Sequence, residues 1–294
     1  MLVADWIFVI VALLGTSFGC LTDLKGRWVP DWINYSLIFI GLGGHAIVSV
    51  LSASIAPILF SLAGAGFFYL IALVMFYAGA WGGGDAKLFI GLGALLPIYP
   101  AVLSAGFTAP WPFLLTVWVN VLLFGAVFGI IATAWLAIRY SQKVSKEFAE
   151  EVGKNKITLY IASATLVAPV IMLALNWSTL IALFWVLAVV LLYILFITKA
   201  VEKVCMYKIV TPSKLVEGDW IVDDVKIWGK TIYKPKRTGI EQKDIDKLIK
   251  LEKSGKLKRV KIKEGLPYVP AILVGLLVSL FFGDLLFIMM GGLL

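Results

Sequence analysis

The sequence predicts a membrane-embedded, all-α helical bundle of about eight transmembrane helices, with both termini outside and a small cytoplasmic α+β module. Three observations predict this class. The chain of 294 residues is 61% apolar and only 15% charged, with a mean hydropathy of +0.96, whereas soluble domains carry about 25% charged residues. Its apolar residues fall into runs long enough to cross a bilayer, which takes roughly 20 residues per helix. Its basic residues collect in alternate loops, as the positive-inside bias of cytoplasmic segments requires.

The expected spans are 4–22, 33–52, 56–79, 86–107, 112–138, 157–175, 179–198 and 268–291. The fourth and fifth are poorly separated, because Pro97, Pro100, Pro110 and Pro112 interrupt them. The first span has no basic leader and is followed directly by more spans, so it is expected to remain as a helix rather than be removed as a signal peptide. Of the 26 Lys and Arg residues, Lys25 and Arg27 lie after span one, Lys87 at the start of span four, five between Arg139 and Lys156, and 18 between Lys199 and Lys263. The alternate loops, near 53–55, 108–111 and 176–178, have none. Residues 1–200 therefore form the bundle, 201–266 the cytoplasmic module, and 267–294 the final helix. The net charge of +8 is accounted for by these loops and by attraction to anionic lipid heads, without a nucleic-acid partner.

Within the module, Trp220-Ile221-Val222, Val225-Lys226-Ile227-Trp228 and Thr231-Ile232-Tyr233 read as short strands. Glu241 to Lys253 reads as a helix, with Ile245, Leu248, Ile249 and Glu252 at three-and-four spacing and Gly255 as its stop. Leu257 to Ile262 alternates again. Its lysines, Lys243, Lys247, Lys250 and Lys253, suit a solvated or lipid-facing surface. The charged stretch 139–156 reads as a helical extension at the cytoplasmic surface.

Several chemistries are excluded by counting. His45 is the single histidine, so a His-Glu-x-x-His zinc site is impossible; packing on a helix face among Gly41, Gly43 and Gly44 suits it better. Cys20 and Cys205 are the only cysteines and form no Cys-x-x-Cys pair. Gly15-Thr16-Ser17-Phe18-Gly19 matches a serine-nucleophile elbow in letters alone, since that elbow needs a strand-to-helix turn and this segment lies inside an apolar helix.

Acids at a bilayer edge are costly and point to function. Asp5 and Asp284 fall near the outer ends of their spans, and Asp31 is placed to cap span two. Asp23 ends span one and Asp85 starts span four, on the same side and at the same depth. Each also has a structural alternative: Asp85 capping helix four, and Asp23 pairing with Lys25 or Arg27. Brought together, the two would share a proton, one activating water and the other polarising a carbonyl. Gly82, Gly83 and Gly84 are expected to allow unusual backbone angles and close approach of a substrate strand. Lys87 either helps hold Asp85 ionised or snorkels to lipid.

At these residues the sequence resembles a known group. Gly82-Gly83-Gly84-Asp85-Ala86-Lys87-Leu88 with Gly91-Leu92-Gly93-Ala94, and Asp23-Leu24-Lys25 through Val29-Pro30-Asp31-Trp32-Ile33-Asn34, resemble the two halves of the type IV prepilin peptidase signature. The absence of a cysteine cluster and the approach Glu264-Gly265-Leu266-Pro267-Tyr268-Val269-Pro270 are similar to the archaeal preflagellin and prepilin peptidases. Eight spans exceed the six usual of preflagellin peptidases. The resemblance implies a cofactor-free membrane aspartic endopeptidase, with Asp23 and Asp85 as its catalytic pair. Its partners would be pilin-like or flagellin precursors, cut behind their short basic leaders. Two readings stand beside it. An ion-coupled transporter would place its acids near the midplane. An intramembrane protease of the presenilin or signal-peptide-peptidase type typically has a tyrosine before its first aspartate, where this chain has Thr22.

Overall fold

A computed structural model describes residues 2–103, 111–175, 179–236 and 238–291, with backbone only at 180, 290 and 291. The helices are α1 (Leu2–Gly26), α2 (Asp31–Leu51), α3 (Ala56–Tyr77), α4 (Gly83–Leu95), α5 (Phe113–Arg139), α6 (Ser141–Lys154), α7 (Lys156–Ala164), α8 (Val167–Ala174) and α9 (Thr179–Val201). After a π turn at Glu202–Met206 come β1 (Tyr207–Val210), β2 (Trp220–Ile221), β3 (Val225–Ile227), β4 (Lys230–Tyr233), α10 (Gln242–Lys253), β5 (Val260–Lys263), α11 (Val269–Phe281) and α12 (Leu285–Gly291). The chain divides into two compact units. One holds Met1–Gly129, Val210–Val260 and Gly265–Leu294; the other holds Ile130–Ile209 and Lys261–Glu264.

Among the described residues, six helical segments are long and apolar enough to cross a membrane: α1, α2, α3, α5, Lys156–Ala174 and Ile181–Met206. The other two expected spans contain shorter helices, α4 and α11, of 13 residues each. Thirteen residues rise only about 20 Å, against a hydrocarbon core about 30 Å thick. α4 stops because Leu96 precedes Pro97 and leaves the helical region, at φ −127° and ψ 59°. α11 stops at Gly283, whose φ of +87° is left-handed, and α12 follows. The expected loops 108–111 and 176–178 and the end of the fourth expected span lie outside the described residues, apart from Trp111.

In the first unit, α4 is wrapped by α2 and α3, and α1 packs on α11. Leu88, Phe89, Leu92 and Leu95 of α4 are buried with Phe8, Leu37, Phe68 and Ile272 in one apolar core. Small residues let the backbones meet. A Cβ on Gly41 would come within 2.7 Å of the Ala94 carbonyl carbon, and Ser61 Oγ donates to the Ala94 carbonyl at 2.7 Å. Such close small-residue contacts replace the hydrophobic drive that lipid does not supply between helices.

The same unit holds a small polar portion. β3 and β4 form an antiparallel hairpin pairing Val225 with Tyr233 and Ile227 with Lys230. Trp228 sits at its tip, just beyond the strand, with φ +48°. On α10, Ile245 and Leu248 are buried as the spacing predicts, and Glu252 holds the Ser213 N–H and hydroxyl. Lys236 and Lys243 beside Glu241 hold its carboxyl down at about 2.

In the second unit, α6 packs on α9 through Val144, Ala200 and Val201. Lys203 bridges Glu147, at 3.0 Å, and Glu151. α6 is helical within the stretch 139–156, as expected. The expected sixth span breaks into α7 and α8 at Thr165, where the Trp185 indole donates to the Thr165 hydroxyl at 3.2 Å and Ser163 meets the Tyr193 hydroxyl at 2.6 Å. β1, absent from the sequence reading, neighbours β5, and Lys263 pairs with Glu202 at 2.9 Å.

Candidate active site

Three chain segments converge inside the first unit: the end of α1, the start of α4 and the start of α11. Gly19, one turn before Asp23, faces Leu88 and Val269, each 3.7 Å from where its Cβ would stand. Gly84 lies against Val29, which follows α1, with 3.3 Å from a built Cβ to the Val29 nitrogen. These contacts carry Asp23 and Asp85 to one end of the bundle, near enough for the Asp23 charge to act on Asp85.

Asp23 is 5% exposed. A buried carboxylate is tolerated only where something bonds it. Its Oδ2 accepts the N–H of Val269, the first residue of α11, at 2.9 Å. The charge of Arg27, one turn along the chain, also acts on it, so the acid is held both by the start of α11 and by a neighbouring basic residue. Asp85 is the third residue of α4 and half-buried. Its Oδ2 accepts the Gly82 N–H at 3.0 Å, so it does cap its own helix, reaching back to the residue before it. A carboxylate there also lies in the favourable field of the helix N-terminus. One oxygen of Asp85 serves this bond; capping and chemistry are therefore compatible.

The glycines before Asp85 act differently from the expectation. Gly82 has φ −76° and ψ 165°, open to any residue, and Gly83 and Gly84 already belong to α4. Unusual backbone angles are not what they supply. Gly84 permits close docking on Val29, whereas Gly83 has only a 3.9 Å neighbour, Phe76.

Lys87 pairs with Asp31 at 2.7 Å and lies 5.4 Å from the Tyr35 ring. This corrects two expectations. Asp31 is the first residue of α2 and makes no cap bond, the preceding Pro30 being the N-cap, and Lys87 is paired with Asp31 rather than with Asp85. Both ends of the pair are well exposed, so Lys87→Ala is expected to cost about 0.5 kcal/mol of stability. Cleavage by that variant should stay within about twofold of the wild type; a tenfold loss of kcat would give Lys87 a role at the acids.

The remaining candidates are structural. His45 Nδ1 bonds the Gly41 carbonyl at 2.8 Å and its ring stacks on Phe8 at 4.1 Å. Ser17 lies in mid-α1, with no strand-to-helix turn. Asp284 accepts the Trp111 indole N–H at 2.7 Å and caps α12 through the Phe287 N–H. Among the described residues, no three His, Cys, Asp or Glu side chains gather as a metal site would. Sequence reasoning assigned no role to Tyr268 and Val269; the proline-flanked start of the last helix was the available signal.

Several known proteins are similar to this chain. The model of the type IV leader peptidase family matches residues 6–134, which include both acids. Prepilin peptidase EppA of Methanothermobacter thermautotrophicus is 20% identical over 98% of this chain and 97% of its own length. Preflagellin peptidases of Methanocaldococcus jannaschii and Methanococcus voltae are 34% and 33% identical, over 31% and 30% of this chain and 38% of their own lengths. Both acids lie inside the segment that matches the type IV leader peptidase family, and over nearly its whole length the chain is similar to an archaeal prepilin peptidase.

Proposed function

We propose that this protein is a multi-pass membrane aspartic endopeptidase that removes the short basic leader from pilin-like or flagellin precursors at the cytoplasmic membrane face. The observation that carries the reading is the convergence of Asp23 and Asp85, 62 residues apart in sequence, at one end of the bundle. One carboxylate, ionised, takes a proton from water as it attacks the scissile carbonyl. The other, protonated, donates to the carbonyl oxygen and then a proton passes to the leaving amine. The clustering of basic residues in alternate loops supports the orientation, with both termini outside and both acids inside. A leader held in the cytoplasm by its charge, ahead of an apolar segment in the bilayer, presents its junction at that depth. The names of the relatives supply the substrate class.

The test is direct. Membranes carrying the protein are mixed with a precursor having a basic leader and an apolar segment, and the product is weighed by mass spectrometry. Cleavage at the leader junction is expected, unaffected by chelators or serine-directed reagents. Cleavage within the apolar segment would favour an intramembrane protease instead, and inhibition by chelators would overturn the two-carboxylate chemistry.

A further inference from the structure

The start of α11 is arranged around the two acids in a way that the pair alone does not require. The first N–H groups of any helix have no partner within it, and a buried one must find another. Val269 is wholly buried, and its N–H goes to Asp23 Oδ2 at 2.9 Å. Its neighbour Pro270 has no N–H to offer in its place. The preceding residue, Tyr268, reaches the other acid's turn. Its ring packs on Trp81 with 5.6 Å between centroids, and Trp81, itself 1% exposed, immediately precedes Gly82, the residue whose N–H Asp85 holds. The Asp85 charge acts on the Tyr268 phenol. On its far side Tyr268 lies over Gly125 of α5, where a Cβ would stand 2.5 Å from the hydroxyl oxygen. A larger residue at 125 would push the ring away.

We infer that Tyr268 and Val269 are positioning residues of the peptidase: the Val269 N–H fixes the Asp23 carboxylate, and the Tyr268 ring, wedged between Gly125 and Trp81, sets α11 against the turn that carries Asp85. This rests on the reading of Asp23 and Asp85 as the catalytic pair. It makes the last helix a third wall of a site whose acids both come from the first four.

The deciding variant replaces Val269 by its α-hydroxy analogue in the full-length protein, turning one amide into an ester, which removes the N–H and leaves both side chains as they are. Steady-state cleavage of the same precursor is then measured in membranes. A lost hydrogen bond to a charged group predicts a fall in kcat of about tenfold, with KM unchanged. Tyr268→Phe keeps the ring and should stay within about twofold, whereas Tyr268→Ala should lose about tenfold in kcat, as expected for sub-ångström misplacement. Wild-type kcat in the ester protein overturns the inference, as does a rise in KM alone, which would make the segment a substrate contact. The ester protein decides even where Tyr268→Ala unfolds. If Asp23→Asn or Asp85→Asn still cleaves, the catalytic reading itself falls; if both are inactive and the ester protein is normal, only this inference does.

Discussion

Asp23→Asn and Asp85→Asn are each expected to abolish leader removal, lowering kcat by about 10³-fold, the middle of the range for loss of a general acid or base. Asparagine is chosen because the local bonds survive it. Its amide oxygen can still accept the Val269 N–H at position 23 and the Gly82 N–H at position 85. The helix starts and the packing around them therefore stay in place, and what is lost is the capacity to exchange a proton. The double variant should be no worse than either single one, because two groups that act as a unit give strongly non-additive losses. Thermal unfolding in detergent should be close to wild type for all three. Either single variant retaining a tenth of wild-type kcat would exclude a two-carboxylate mechanism, whereas a double variant much worse than both singles would mean independent roles.

Much of this arrangement was legible in the sequence because the bilayer constrains it so strongly. The long apolar runs 4–22, 33–52 and 56–79 correspond to α1, α2 and α3, since a lipid-facing backbone has no alternative to the helix. The helix from Glu241 and the strands around 220–233 followed from periodicity and turn residues. Short apolar helices were harder. α4 and α11 bury much of their surface against other helices, so their composition gives no measure of their length, and Leu96 and Gly283 end them early. Partners across the fold were not legible at all. Lys87 finds Asp31 and Val269 finds Asp23, 246 residues away, because contacts of that separation depend on which helices pack together. The glycines before Asp85 were legible as special but not in kind. Close approach and left-handed geometry both call for glycine, and sequence alone does not distinguish them.

The tightest glycine approach between two helices supplies the second large effect. Gly64 of α3 and Gly93 of α4 lie backbone to backbone: a Cβ on Gly64 would stand 2.2 Å from the Gly93 carbonyl oxygen, and one on Gly93 would stand 2.3 Å from that of Gly64. Neither clash can be relieved by rotating a side chain, so the helices must separate. Overpacking of this kind costs about 1–3 kcal/mol, and the rigid backbone on both sides puts Gly64→Val at the upper end. Asp85 lies on the same helix as Gly93, eight residues before it, so any displacement of α4 is passed to the acid. A shift of about 1 Å there is enough to lower kcat about a hundredfold. Gly66, two residues along α3, has nothing within 4 Å of its built Cβ, which makes Gly66→Val a matched control with the same change in helix propensity. Gly64→Val should unfold at lower temperature and cleave slowly while Gly66→Val behaves as wild type. Equal behaviour of the two would show that α3 and α4 do not need this contact, and that Asp85 is held in place by α1 and α2 alone.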